Sequence, residues 1–379
     1  MLKIMHIITT FSPAGAETML CRLASAMDRT RFDNEIISLT DTMDLAEKMQ
    51  ELGTPVRTLG MKKGLPNPLL VMRLAQWIRA SKADVIHTWM YHANLVGAFA
   101  ARLAGKIPVV WGIHHNRLDP RVDKRRTILV NQACATLSRK LPARIVFCSE
   151  ASRQFHTKLG YTPDKLEVIP NGFDMNEVKP DPDAGLSLRK ELNVPADAIL
   201  VGIAARFHPH KDHHNFIRAA ARLRQKQPGV HFVMCGPDIT WENDELAGWI
   251  HTAGLQDRCH LLGMREDMPR LFAGMDIATT ASLSEAFPIV VGEAMACGTP
   301  CVVTDVGDSA MMVDRTGLVV APGNPEALAE AIKKLIEVGP EARHRLGMAA
   351  RWRVRQYFAL PKIVDRYQNI YQEVVAGAQ

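Results

Sequence analysis

Residues 284–301 read SEAFPIVVGEAMACGTPC and bring two carboxylates, a loop and a helix start into one segment. The apolar run 278–281 ahead of it is the end of a buried strand, 282–288 is a loop, and 289–297 is a helix stopped by Gly298 and Pro300. Glu285 therefore sits at the mouth of the loop, while Glu293 lies a turn inside the helix. A helix N-terminus offers unpaired N–H groups and the positive end of a dipole, which suits a diphosphate, and nearby carboxylates accept hydrogen bonds from sugar hydroxyls. One segment can thus hold phosphate, hexose and ribose. On spacing alone there is a blander alternative, in which Glu285 caps the helix and Glu293 solvates one of its faces.

The whole chain suits such a site. Its 379 residues, 47% hydrophobic and 23% charged, are an ordinary globular composition with length for roughly two domains. Seven cysteines, an odd number with no C-x-x-C pair and mostly in apolar runs, imply buried thiols in a reducing compartment and no disulfides. No apolar run reaches the length of a membrane span, and the opening LKIMHIIT is too short and strand-like for a secretory leader. A cytoplasmic protein is expected.

Strand-like runs at 2–9, 34–39, 85–89, 109–114, 145–148, 199–205, 230–235, 259–262, 277–280 and 300–304 alternate with helical patterns. That alternation means parallel sheets covered by helices. The segment 176–195, with Pro180, Pro182, Gly185 and Pro195, reads as a linker around a short helix, so two doubly wound domains follow, 1–178 and 179–360. Ligands bind such sheets at the carboxyl ends of their strands.

Candidate site residues gather at those ends. In the first turn, TTFSPAGAETML, Gly15 allows close backbone approach and Glu17 opens a helix. A G-x-G-x-x-G fingerprint is missing, which argues against a nicotinamide enzyme. His87 and His92 flank the next turn, and PVVWGIHHN ends a strand in His114 and His115. In ILVGIAARFHPHKDHH, Arg206 and Lys211 form a cationic clamp suited to a diphosphate leaving group. The histidines beside Lys211 match no zinc spacing, and the lysine would repel a cation, so no metal is expected. Met264 and Arg265 follow a further strand, and long amphipathic helices occupy 325–338, 341–357 and 361–375.

Charge is uneven: residues 1–179 hold 25 Lys and Arg against 16 Asp and Glu, and the remainder 21 against 24. Arg117, Arg121, Lys124, Arg125 and Arg126 form the densest basic stretch. An anionic membrane surface, a lipid-diphosphate acceptor or an acidic polysaccharide would suit it, and a solvated helix is the plain reading. Nucleic acid is disfavoured, because no binding motif accompanies the charge.

The E-x7-E pair Glu285/Glu293 with the following AMACGTPCVVTDVG, the R-x4-K pair Arg206/Lys211, the turn MCGP at 234–237, LEVIPNGFD at 166–174 and the G-x-E of the first turn together resemble the retaining GT-B glycosyltransferases of family GT4. The likeness spans essentially the whole chain. Its departures are Ala14 and Cys235, where glycines are usual. The resemblance implies two Rossmann-like domains facing a cleft, with 361–379 crossing back to the first. It further implies hexose transfer from a UDP- or GDP-linked sugar to a glycan or lipid-linked glycan, with no cofactor. Glu285 would then meet the donor sugar, Glu293 the ribose, and the backbone near Phe287, Pro288 and Ile289 sugar and phosphate, although Pro288 has no N–H to donate. His114 would lie beside the sugar, Arg206 and Lys211 on the diphosphate, Gly15 and Glu17 in a substrate loop, and Met264 and Arg265 at the base. Asn171 and Gly172 would be architectural. The same fold also serves epimerases, phosphorylases and non-catalytic nucleotide-sugar or membrane-surface binders.

Overall fold

Each of the ten apolar runs becomes a strand in the computed structural model, which describes residues 1–62 and 67–378, and every strand pairing in its two sheets is parallel. The first sheet holds β1 (Leu2–Ile8), β2 (Phe32–Ser38), β3 (Val56–Thr58), β4 (Val85–Trp89), β5 (Val109–Ile113), β6 (Arg144–Phe147) and β7 (Leu166–Val168) in the order β3-β2-β1-β4-β5-β6-β7. The second holds β8 (Ile199–Ala204), β9 (Val230–Cys235), β10 (Cys259–Leu261), β11 (Ile277–Thr279), β12 (Cys301–Thr304) and β13 (Gly317–Val320) in the order β10-β9-β8-β11-β12-β13. Strand order reverses between β1 and β4 and again between β8 and β11. At such switch points consecutive loops diverge and leave a crevice for a ligand.

β3, β7 and β13 were not expected from the sequence. All three are edge strands of three or four residues with mixed burial, so they lack the continuous apolar run that marks a strand covered on both faces.

The chain divides into two units, Met1–Gly172 with the segment from Leu360 onward, and Phe173–Ala359. The boundary precedes the expected one because residue 173 is already committed to the second unit. The Phe173 N–H donates to the Phe358 carbonyl at 2.9 Å, and its ring stacks near Phe287. The supposed linker likewise belongs to that unit. Its helix, Ala184–Glu191, is tied to Met268–Gly274 by Arg270, which reaches Glu191 and, at 2.7 Å, the Ser187 hydroxyl.

In the first unit the last helix, Leu360–Ala376, buries Tyr367, Ile370 and Tyr371 in one cluster with Met19, Leu20 and Leu23 of the helix Gly15–Ala26. Its tie to the sheet is polar as well: the Tyr371 hydroxyl and His87 Nδ1 are 2.7 Å apart in the core. His87 is thereby a core residue rather than a site residue. None of the seven cysteines is joined in a disulfide, and six of them are buried.

Candidate active site

The site in the second unit is assembled at the β8/β11 switch point. β8 delivers Arg206 and then a single turn of 3-10 helix, Pro209–Lys211; β11 delivers the loop that carries Glu285. Lys211 Nζ lies 2.5 Å from Glu285 Oε1, with side chains 23% and 11% exposed. Ser282 Oγ donates to the same Oε1 at 2.7 Å, so both donors converge on one oxygen, and among the described residues none donates to Oε2. The loop is held from three sides. The Leu283 N–H donates to the His210 carbonyl at 2.8 Å, the Thr304 hydroxyl donates to the Ser282 carbonyl at 2.8 Å, and the Asp308 N–H donates to the Ala286 carbonyl at 3.0 Å.

Gly307, at φ +56, closes this cradle: a Cβ there would stand 2.2 Å from the Glu285 carbonyl oxygen, and the left-handed backbone disfavours any other residue. That accounts for the glycine ending VVTDVG.

The helix Ile289–Ala296 begins directly after the loop, with Pro288 at its N-cap. Its first amides, Ile289 and Val290, have no intrahelical acceptor by construction and suit an anion. Glu293 is half-buried one turn along. The Phe287 ring is buried against Phe358 at 5.3 Å, so only its backbone is available to a ligand. Arg206 is exposed, and its neighbours are pinned to the end of β9, Ala205 N–H to the Cys235 carbonyl and Phe207 N–H to the Pro237 carbonyl, both at 2.9 Å. Met264 is 71% exposed. The Arg265 guanidinium is taken up by a two-point contact with Asp267, at 2.8 and 2.9 Å, and by Glu191 at 2.6 Å. This leaves Arg265 only its backbone for a base.

In the first unit His114 follows β5. Its ring stacks on Trp89 with centroids 5.0 Å apart, and both ring nitrogens are buried. Burial pulls its pKa down to about 4, partly offset by the neighbouring Asn171 side chain, so the imidazole is neutral near pH 7. His115 diverges toward Tyr91. Gly15 is exposed at the first position of its helix, and Glu17 accepts from the Thr10 hydroxyl at 3.3 Å. Arg117, Arg121, Lys124, Arg125 and Arg126 are all exposed, the last two opening the helix Arg125–Leu137.

Sequence reading overlooked Ser282 and assigned Asn171 to a turn alone. A hydroxyl three residues before a carboxylate was the available signal for Ser282. For Asn171 there was none, because its proximity to His114 is purely tertiary. Among the described residues no group of three or more His, Cys, Asp or Glu could hold a metal ion, and no helix is long and apolar enough to cross a membrane.

Residues 186–353 match the family model "Glycosyl transferases group 1", and residues 13–177 match "Glycosyltransferase Family 4". The chain is 30% identical over 327 residues to the D-inositol 3-phosphate glycosyltransferase of Saccharomonospora viridis, covering 81% of this chain and 74% of that one. The chain belongs to the family 4 glycosyltransferases. This glycosyltransferase is also 24% identical over 387 residues to the Escherichia coli UDP-Gal:alpha-D-GlcNAc-diphosphoundecaprenol alpha-1,3-galactosyltransferase, covering 99% and 98% of the two chains. The crystal structure of Anabaena HepE in complex with UDP-glucose superposes with a TM-score of 0.86 at 26% identity, covering 98% of the glycosyltransferase and 100% of HepE. The fold is GT-B.

Proposed function

We propose that this glycosyltransferase moves a hexose from a UDP-sugar to a hydroxyl of a lipid-linked glycan, with retention of anomeric configuration and without a metal ion. The observation that carries the reading is the Lys211–Glu285 contact beside the open helix N-terminus at the β8/β11 switch point. It juxtaposes a cation for the diphosphate and a carboxylate for the sugar. The first amides of Ile289–Ala296 take phosphate oxygens, Glu293 takes the ribose, and Glu285 Oε2 accepts from a sugar hydroxyl. As the bond from the anomeric carbon to the phosphate oxygen breaks, its electron pair leaves with UDP, and Arg206 and Lys211 stabilise that charge. The acceptor oxygen bonds to the same face as its O–H bond breaks, and its proton passes to the departing phosphate oxygen. No side chain is assigned as a covalent nucleophile. His114, neutral, can exchange a hydrogen bond with a substrate without adding charge. Uridine is favoured over guanosine by the UDP-glucose in HepE and the UDP-Gal of the E. coli relative, and the lipid-linked acceptor by that relative's diphosphoundecaprenol substrate.

The test is incubation with UDP-glucose or UDP-galactose and a lipid-diphosphate glycan. We expect a product whose proton couplings match the donor's anomer, formed equally well in EDTA. An inverted product, or activity lost to chelation and restored by magnesium or manganese, would refute the mechanism. Epimer or free sugar formed without acceptor would point to the same-fold alternatives.

Peripheral attachment to an anionic membrane goes with such an acceptor. Five exposed cations, Arg117, Arg121, Lys124, Arg125 and Arg126, support it. Each contributes about 1 kcal/mol near a negative surface, within a screening length of roughly 8 to 10 Å. Sedimentation with anionic vesicles is expected at low salt and release at high salt; equal binding to neutral vesicles, or none to either, would leave the stretch a solvated face.

A further inference from the structure

We propose that Met90 is a positioning residue for His114, held for that purpose in a strained elbow at the switch point of the first sheet. β4 ends at Trp89 and the helix Tyr91–Ala104 begins at Tyr91, so Met90 alone turns the chain from strand to helix. It does so at φ 73° and ψ 161°, a combination almost confined to glycine. Strain of this kind persists only where the surroundings over-determine it. Here they do: the Met90 N–H donates to the Gly112 carbonyl at 2.9 Å, its carbonyl accepts from Asn94 N–H at 2.8 Å, and its thioether sulfur accepts the His114 N–H at 3.4 Å.

Glycine would make this turn without strain. What methionine adds is a side chain, and that side chain ends on His114. A sharp strand-to-helix elbow that presents one side chain at the carboxyl edge of a sheet is a known way of placing a reactive group. Here the elbow places a support. With Trp89 stacked on its ring and Asn171 beside it, His114 is fixed on three sides, and Met90 is the contact that acts on its backbone.

This inference rests on His114 contributing to the proposed transfer, and the experiment separates the two. Met90→Ala keeps the strained backbone and removes the thioether; Met90→Gly removes both. We expect the Gly variant to melt above the Ala variant, the reverse of the usual order. We also expect kcat about tenfold lower in the Ala variant and lower still in the Gly variant, with donor KM within about twofold, the signature of a misplaced group rather than a lost binding contact. The His114 ring signal in NMR spectra, assigned by its loss in His114→Ala, should shift in both. An Ala variant that melts above the Gly variant overturns the strain. Wild-type kcat in both Met90 variants, with His114→Ala crippled, overturns the positioning role alone. Wild-type kcat in His114→Ala removes the role of His114 and this inference with it.

Discussion

We expect Glu285→Gln to lower kcat by about a hundredfold or more while the affinity for UDP stays within about twofold, because in the proposed mechanism this group acts on the sugar in the transition state rather than on the nucleotide. The substitution keeps an acceptor oxygen and nearly the same shape. It removes the charge that Lys211 meets at 2.5 Å and replaces one oxygen with a donor, so the acceptor shared by the Ser282 hydroxyl and Lys211 becomes at best a neutral amide oxygen. Lys211 is then freer to move, and the sugar hydroxyl meets either a weaker acceptor or an N–H. Glu293→Ala gives the opposite pattern. Loss of the proposed charged hydrogen bond to ribose, at roughly 1.5–3 kcal/mol, should weaken UDP binding by about 10- to 100-fold. Titration calorimetry with UDP and steady-state kinetics distinguish the two. A Glu285→Gln enzyme with full turnover would sink the assignment.

Gly347→Ala is expected to destabilise the second unit by about 2–3 kcal/mol, although the residue lies within the helix Gly339–Tyr357, where propensity alone favours alanine by ~1 kcal/mol. The added Cβ would stand 1.8 Å from the Gly298 carbonyl oxygen and 2.7 Å from its carbon. Both are backbone atoms in the turn between Ile289–Ala296 and β12, and Gly298 is itself held at φ +82°. No flexible side chain can give way, so the helix must lift off the turn and open packing around Val354 and Ala350, both buried. The melting temperature should fall by about 5–10 °C. Gly248→Ala is the matched control: it sits in the helix Asp244–Thr252 with no atom within 4 Å of its would-be Cβ, and should stabilise by up to ~1 kcal/mol. Urea unfolding of both variants checks the pair. Equal effects would mean that helix propensity, not the close crossing, governs Gly347.

The contrast between Gly347 and Gly248 marks the reach of the sequence. Both are helical glycines, and nothing in the neighbouring letters says that one lies on a backbone turn about fifty residues away in the chain. What the sequence by itself determined is set by local periodicity. Continuous apolar runs such as VIHTW and VHFVMC can be satisfied only by strands covered on both faces, which makes the sheets parallel and puts loops such as 282–288 at their carboxyl ends. The carboxylate pair Glu285 and Glu293 was legible for the same reason, since a loop and the helix that follows it are near neighbours by chain geometry.

Contacts between distant segments needed the tertiary structure. Lys211 meets Glu285 across 74 residues because β8 and β11 are adjacent in the sheet, a pairing settled by how helices cover the two faces rather than by either strand's composition. Edge strands β3, β7 and β13, half-exposed and short, carry too little burial to leave a pattern. Phe173 reads as the tail of a turn until its ring is found on Gly292, where a Cβ would come within 2.0 Å of it. Met90 reads as an ordinary apolar residue, because its strained φ is fixed by a hydrogen bond to the Gly112 carbonyl, a neighbour that only the folded sheet brings to it.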